Sequence, residues 1–290
     1  MDSALADIGL PLALAIIMLG LGLTLTVDDF RNVRHHPKAM VVALVCQVVI
    51  LPVVCFGLVL AFDLRPELAV GMMLLAAAPG GSTANLFSHL FRGDVALNIS
   101  LTAINSILAI VTLPLVTNFA ISYFSDADDS VSLQFTKVLE VFAVVLIPVA
   151  LGMVVRAKNE GFALRMDRPV RVASSVLLVV MILGILLGER GNATEYARTV
   201  GPITALFCAL CIATGYYVPK LFGVKERQAV ACSFEIGIHN ATLAMYVANN
   251  ALGNAEIAIP GAVYGLTMFF IAAGWGLLLT RVLQKEPQTA

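Results

Sequence analysis

The sequence AAAPGGSTANLFSHL, Ala76 to Leu90, interrupts an apolar segment that is otherwise long enough to cross a membrane. Pro79 has no backbone N–H, and the two glycines after it weaken a helix, so we expect the helix to break here. Unpaired backbone at membrane depth is tolerated only where protein or a water-filled cavity surrounds it. The stretch therefore predicts a polar site between two half-helices, with Ser82 or Thr83 capping the second half.

A second stretch, SFEIGIHNATL from Ser233 to Leu243, repeats the pattern with Gly237 between Glu235 and His239. The two interrupted segments are the third and the eighth in the series of apolar segments. Because they are an odd number of segments apart, they cross the membrane in opposite directions. This arrangement is typical of inverted-repeat transporters, whose broken helices meet near the midplane and bind substrate and coupling ions.

The composition of the whole chain supports a membrane protein. Of 290 residues, 59% are hydrophobic and 13% are charged, and the mean hydropathy is +0.92. Soluble domains carry about 25% charged residues. The sequence thus predicts one all-α integral membrane domain over residues 1–290. The nine predicted spans cover roughly residues 8–26, 39–61, 68–91, 95–122, 133–155, 170–188, 202–221, 227–249 and 259–281.

The basic residues predict the orientation of these spans, because short cytoplasmic connections collect Lys and Arg. With the N terminus outside and the C terminus cytoplasmic, the connections on the outside hold only four of the 18 basic residues, Arg65, Lys137, Arg190 and Arg198. No basic residue precedes Arg31, so we expect the first apolar segment to remain as a helix rather than act as a signal peptide. The near balance of 18 basic and 19 acidic residues argues against a nucleic-acid-binding surface.

Glu235 is the only charged side chain that the sequence places well inside a span. A carboxylate there costs about 2.5–3.5 kcal/mol on insertion scales, so it requires a proton or a bound cation. Amide and hydroxyl groups accompany it, and such oxygens suit a small hard cation better than a transition metal. These groups belong to Gln47, Asn85, Asn98, Thr102 and Asn105. The five cysteines lie in apolar segments and are interpreted as small hydrophobic residues.

The chain resembles the bile acid:sodium symporter family through two motifs. These are PGGSTANLFSHLFRGDVALNISLTAINS, Pro79 to Ser106, and EIGIHNATLA, Glu235 to Ala244. The likeness extends to GLGLT at 20–24 and PGAVYG at 260–265, and so covers nearly the whole chain. It implies an inverted-repeat fold with a core domain and a panel domain. In that fold two discontinuous helices, at about 68–91 and 227–249, cross near two sodium sites.

The resemblance also implies the ligands of both ions. It places the first sodium ion among Asn85, Asn98, Thr102 and Glu235. It places the second among Gln47, Glu235, His239 and the backbone carbonyls of Ile236 and Ile238. The chain departs from the family pattern at three positions: Ala84 replaces a frequent serine, Asn98 stands where serine is typical, and His239 replaces glutamine. Because an imidazole nitrogen is a poor sodium ligand, His239 puts the second site in question.

The function implied is sodium-coupled import of an organic anion by alternating access. The substrate is either bile-acid-like or a small carboxylate such as pantoate or pyruvate, held near Ser82, Thr83 and Asn240. Because of Ala84 and His239, a proton-coupled or sodium-independent transporter of the same fold is the alternative. No enzymatic motif such as H-E-x-x-H occurs, so no catalytic residue and no cofactor besides the coupling ions is expected. We expect a monomer in a bacterial inner membrane.

Overall fold

The computed structural model describes residues 9–31, 36–81, 83–125, 135–188, 191 and 193–283. Within these ranges the chain forms helices and short connections, and its only β-type pairing is one isolated bridge. The predicted all-α fold is therefore confirmed. The α-helices are α1 Leu10–Thr24, α2 Val27–Arg31, α3 Pro37–Val45, α4 Leu51–Ala61, α5 Pro66–Ala77, α6 Thr83–Leu90, α7 Val95–Phe124, α8 Phe135–Lys158, α9 Glu160–Gly188, α10 Ala193–Leu221, α11 Glu226–Gly237, α12 Ala241–Tyr246 and α13 Ile259–Leu283.

Five helical segments in the described ranges are long and apolar enough to cross a bilayer. They are Pro37–Ala61, Val95–Phe124, Glu140–Lys158, Arg198–Leu221 and Glu256–Arg281. Shorter apolar helices at Pro11–Thr24 and Pro66–Ala77 add to them. Exposed side chains such as Val53, Leu115 and Phe270 give the molecule an apolar surface, which suits contact with lipid. The chain is a multi-pass membrane protein, while the count of nine spans and their orientation remain predictions.

Both predicted helix breaks are present. α5 ends at Ala77 because Ala78 is extended, with φ −67° and ψ 141°, as the residue before a proline prefers. The chain becomes helical again at Thr83, where α6 begins. In the second break α11 ends at Gly237 and α12 starts after Asn240, whose side-chain oxygen accepts the Leu243 N–H at 3.0 Å. Ser82, one of the two predicted caps, lies outside the described residues.

The two breaks pair with each other through their backbones. The Gly81 N–H donates to the Ile238 carbonyl at 2.7 Å, and the Asn240 N–H donates to the Pro79 carbonyl at 2.8 Å. These two bonds enclose an antiparallel bridge between Gly80 and His239. Because buried backbone groups need partners, each break satisfies groups that the other leaves open. The polar centre of the molecule is thus built from two segments about 160 residues apart in the chain.

A π-helical segment, Cys46–Ile50, joins α3 to α4 and carries Gln47. The Leu51 N–H donates to the Cys46 carbonyl, five residues earlier. Pro52 follows directly, and its missing N–H leaves the carbonyl four residues earlier without its usual donor. Such π-segments occur often at functional sites. A second π-helical segment, Val247–Ala251, continues α12.

The helices pack in two groups. α1 packs chiefly on α8 and α9, and its Gly22 lies so close to the backbone of α8 that an added Cβ would overlap Val149. In the other group α10 packs on α11 and α13, and α5 packs on α7. Aromatic rings also join α6 to α11 within this second group, with the Phe87 and Phe234 rings 5.7 Å apart between centroids. The paired breaks belong to the second group.

Candidate functional site

Glu235 lies at the end of α11, beside the first break. It is 2% exposed, and the Thr102 hydroxyl donates to its Oε2 at 2.6 Å. Its carboxylate occupies the space beside Gly80, where an added Cβ would overlap it. A buried carboxylate without a cationic partner costs several kcal/mol, of the order estimated for membrane interiors, about 2.5–3.5 kcal/mol. The site therefore favours a ligand that supplies positive charge.

Four buried side-chain oxygens near the breaks have no hydrogen-bond donor among the described residues. They are Gln47 Oε1, Asn85 Oδ1, Asn98 Oδ1 and Glu235 Oε1. Leaving one buried polar atom unpaired costs about 1–3 kcal/mol, so four in one region is unusual. Three are neutral and one is carboxylate, and all four can only accept. Together they have the chemistry of ligands for a hard cation.

Backbone carbonyls fix the orientation of two of these amides. Asn98 Nδ2 donates to the Ala231 carbonyl at 2.8 Å, and Gln47 Nε2 donates to the Ala78 carbonyl at 3.1 Å. Because a carbonyl only accepts, each amide must turn its nitrogen toward it and leave its oxygen free. The free oxygens of Asn98 and Gln47 are therefore a consequence of the two carbonyls they contact, one within α11 and one at the end of α5.

His239 lies in the second break and contacts two polar side chains. Its Nε2 is 3.3 Å from Gln47 Nε2, and its Nδ1 is 3.0 Å from the Tyr264 hydroxyl oxygen. That hydroxyl donates in turn to the Gly237 carbonyl at 2.9 Å. The imidazole is 1% exposed and packs against the ring of Phe207 with centroids 5.8 Å apart. Both ring nitrogens are thus within hydrogen-bond distance of protein groups.

A cavity of about 370 Å³ opens beside the paired breaks. Its polar lining includes Thr83, Asn85 and Asn240, and the side-chain nitrogen of Asn240 remains available because its oxygen caps α12. The rest of the lining is largely apolar and comes from α1, α6, α7, α9 and α13. The apolar lining residues include Ile17, Leu86, Val95, Ile99, Leu178 and Met268.

The structure brings the sequence-predicted residues together in two sets. Glu235, Thr102 and Asn98 form one, since the Thr102 hydroxyl also lies 3.0 Å from the Asn98 carbonyl. Gln47 and His239 form the other. Glu235 and Gln47 share no hydrogen bond among the described residues. The Ile238 carbonyl already accepts the Gly81 N–H, while Ile236 is buried in α11.

Sequence reasoning missed two parts of the site. The first is Tyr264, whose position in an apolar segment of α13 gives no sign that its hydroxyl reaches Gly237 and His239. The second is the contribution of α1 and α9 to the cavity, through residues such as Gly20 and Leu178. Packing between distant helices determines both, and local sequence patterns do not contain that information. For α1, Thr24 in GLGLT was a usable signal of the cavity, because it is a polar residue in an otherwise apolar helix.

Paired discontinuous helices around buried polar atoms are typical of secondary transporters. The model of the Sodium Bile acid symporter family matches residues 11–196, which is more than half of the chain. The chain therefore belongs to the sodium bile acid symporter family, and it is a membrane transporter rather than an enzyme.

Individual relatives extend the similarity beyond residue 196. The chain is 27% identical over 254 residues to the "Uncharacterized sodium-dependent transporter YocS" of Bacillus subtilis (strain 168), covering 87% of this chain and 77% of that protein. It is 29% identical over 257 residues to the "Probable sodium/metabolite cotransporter BASS1, chloroplastic" of Arabidopsis thaliana, covering 87% of this chain and 62% of the plant protein. The P3 protein of Homo sapiens is 29% identical over 226 residues, 76% of this chain and 46% of that protein. The chain thus spans less than two thirds of the plant and human relatives.

Proposed function

We propose that this protein is a sodium-coupled symporter that imports a small organic anion by alternating access. The observation that carries the proposal is the set of four buried oxygens without donors beside the paired breaks. Sodium ions coordinated by these oxygens would offset the cost of leaving them unpaired and would neutralise Glu235. The names of the Bacillus and Arabidopsis relatives, which call those proteins sodium-dependent or sodium/metabolite transporters, support the same ion.

The first sodium ion would bind among Asn85, Asn98, Thr102 and Glu235. Three of these contribute the free oxygens described above, and the Thr102 hydroxyl contacts the carboxylate. The ion would thereby add a further link among α6, α7 and α11, which already pack on one another. Binding would favour the arrangement in which these helices are packed together, and so would stabilise the folded protein.

The second sodium ion would bind Gln47 Oε1, Glu235 and the carbonyls of Ile236 and Ile238. His239 lies beside this set, where relatives of the family carry glutamine. With both nitrogens near protein groups, we propose that its imidazole supports Gln47 and does not supply a ligand atom. A site that lacks one side-chain oxygen would bind its ion more weakly than the first site.

The substrate would bind in the cavity with its carboxylate toward the breaks. Thr83 and Asn240 offer a hydroxyl and an amide N–H there, and Ser82 is adjacent in sequence. The apolar lining would contact the remainder of the molecule. A cavity of about 370 Å³ lies at the lower end of the usual range for ligand pockets, about 300–1,000 Å³, which favours a small carboxylate such as pantoate or pyruvate over a bile acid.

The transport cycle would use the two packing groups as panel and core. We propose nine spans with the N terminus outside, in a monomer in a bacterial inner membrane, so that the ends of α1 and α6 at Thr24 and His89 face the cytoplasm. These residues line the cavity, which would make this structure open to the inside. Movement of the α1, α8 and α9 group against the core would expose the same site to the other side.

A proton-coupled or sodium-independent transporter is the second candidate. His239 favours it, because a titratable residue replaces an amide that would ligate sodium. In such a protein Glu235 would carry the coupling proton on Oε1, because no hydrogen-bond donor among the described residues occupies that oxygen. Counting sodium ions and protons per substrate molecule separates the two candidates.

The deciding experiment compares wild type with Glu235→Gln by thermal unfolding in detergent. Sodium chloride replaces choline chloride at constant ionic strength, so that only sodium changes. We expect a sodium-specific rise in Tm for wild type, corresponding to about 2.7 kcal/mol at a hundredfold excess over Kd, and no rise for the variant. A wild type that responds equally to sodium and choline would refute sodium coupling.

A further inference from the structure

A chain of hydrogen bonds connects the carbonyl groups at the two helix breaks. It begins at the Ala78 carbonyl, passes through the side chains of Gln47, His239 and Tyr264, and ends at the Gly237 carbonyl. Each terminal carbonyl belongs to a helix end, α5 in one case and α11 in the other. Such carbonyls lack helical partners and need donors from elsewhere.

The two carbonyls determine which atom carries the proton in each hydrogen bond of this series. Tyr264 has one hydroxyl proton and gives it to Gly237, so its oxygen can only accept from His239. His239 Nδ1 must therefore carry a proton. In a neutral imidazole Nε2 is then an acceptor, and it receives the second N–H of the Gln47 amide, whose first N–H goes to Ala78.

Among the side-chain atoms of Gln47, His239 and Tyr264, this assignment leaves only Gln47 Oε1 without a partner in the described part of the structure. The opposite imidazole tautomer would present an N–H at Nε2 and would draw the Gln47 oxygen toward it. The amide would then turn over, so that Ala78 would lose its donor and a nitrogen would replace the free oxygen. The direction of the whole chain thus decides whether Gln47 offers an oxygen or a nitrogen.

We propose that Tyr264 is a positioning residue for cation binding, because it fixes His239 in the Nδ1–H tautomer and so keeps Gln47 Oε1 free as a ligand. The inference rests on the proposed sodium-coupled function. It assigns a role to the histidine at position 239 that does not require it to touch the ion. Partners in the second coordination shell commonly change metal affinity 10–100-fold.

The experiment is a double-mutant cycle between Tyr264→Phe and His239→Gln, read as the sodium concentration at half-maximal thermal stabilisation. In the wild-type background we expect Tyr264→Phe to raise this concentration about tenfold, and to lower the Tm in choline because the Gly237 carbonyl and His239 Nδ1 lose a partner. In the His239→Gln background, where no tautomer exists, the same substitution should change it less than about twofold. Tyr196→Phe is the matched control, since it removes another hydroxyl of a buried tyrosine, one that donates to Glu256.

Equal shifts in both backgrounds would overturn the proposal, because Tyr264 would then act only through Gly237. If Tyr264→Phe leaves the half-maximal sodium concentration unchanged in both backgrounds while Glu235→Gln loses its sodium response, this inference would be overturned and the proposed function would remain intact. A normal sodium response in Glu235→Gln would instead overturn the proposed ion sites, and this inference with them, whereas a wild type without a sodium-specific response would overturn the proposed function.

A direct measurement on the wild-type chain does not depend on any variant folding well. NMR of protein labelled with ¹⁵N-histidine distinguishes a protonated from an unprotonated ring nitrogen, and the signals of His239 are those absent in His239→Gln. We expect a protonated Nδ1 and an unprotonated Nε2. The reverse pattern would contradict the proposal.

Discussion

At the scale of single residues, the site depends on Gly80, which has no side chain, as much as on the polar side chains around it. The Glu235 carboxylate lies against Gly80, within the volume that any Cβ at this position would occupy. Gly80 also forms the bridge with His239 that pairs the two breaks. Glycine is therefore required here by close approach and not by an unusual backbone conformation.

Gly80→Ala should displace the Glu235 carboxylate and remove sodium-dependent uptake. The extra methyl group overpacks a rigid site, which typically costs about 1–3 kcal/mol in the free energy of unfolding. Thermal unfolding and uptake at varied sodium concentration measure the two effects. Gly274→Ala is the control, because that glycine lies in helix α13 with open space around it and tolerates a methyl group. Normal uptake by Gly80→Ala would contradict the close contact.

Sequence and structure agree best on residues whose presence in an apolar helix is costly. Glu235 could be recognised from the sequence because no other charged side chain shares its surroundings. Tyr264 could not, because an aromatic residue in a membrane helix is ordinary and its hydroxyl acquires meaning only from Gly237 and His239. Gln47 and Asn98 were candidate ligands from the sequence, but the contacts that leave their oxygens free could not be predicted, since backbone carbonyls elsewhere in the fold orient those amides.

At the scale of helices, local chemistry predicts where a helix is interrupted but not what it contacts. The Pro-Gly-Gly sequence predicted the first break, and α5 ends at Ala77 as the proline requires. Gly237 predicted the second. The pairing of the two breaks and the π-helical segment at Cys46–Ile50 were not predicted, because the first needs tertiary contact and the second a shift in backbone hydrogen bonding.

Pro52→Ala should weaken sodium binding without weakening the fold. The new N–H can donate to the carbonyl of Val48, which allows the π-helical segment to become α-helical. A π-turn contains one residue more than an α-turn. Converting it to an α-turn would rotate Gln47 by about 100° relative to α4 and take its oxygen away from the breaks. We expect an unchanged or higher Tm in choline and a smaller rise in Tm with sodium.

Pro148→Ala provides the comparison for Pro52→Ala. Pro148 is also inside an apolar helix, α8, which packs on α1 and carries no predicted ion ligand. Its replacement should leave the sodium response unchanged. A full sodium response in both variants would show that the π-helical segment does not orient Gln47 for binding.

At the scale of the molecule, the cavity lies between the two packing groups. Ile17, Gly20 and Thr24 line it from α1, and the paired breaks line it from the other group. A site shared between two groups opens to one side or the other when the groups move, as alternating access requires. The apolar patterning predicted a membrane bundle, but the faces that meet across the cavity depend on the assembled helices.

Thiol labelling tests which side of the membrane this cavity faces. All five native cysteines are 0% exposed, so a charged thiol reagent should react mainly with an introduced cysteine. With the N terminus outside, Thr24→Cys in the cavity should react in inside-out vesicles and Ala255→Cys, in the exposed connection before α13, in right-side-out ones. Substrate added with sodium should slow labelling at position 24 by filling the cavity, while labelling at position 255 should not change. Reaction of both cysteines from the same side would contradict the proposed orientation, because the two positions lie at opposite ends of the spans.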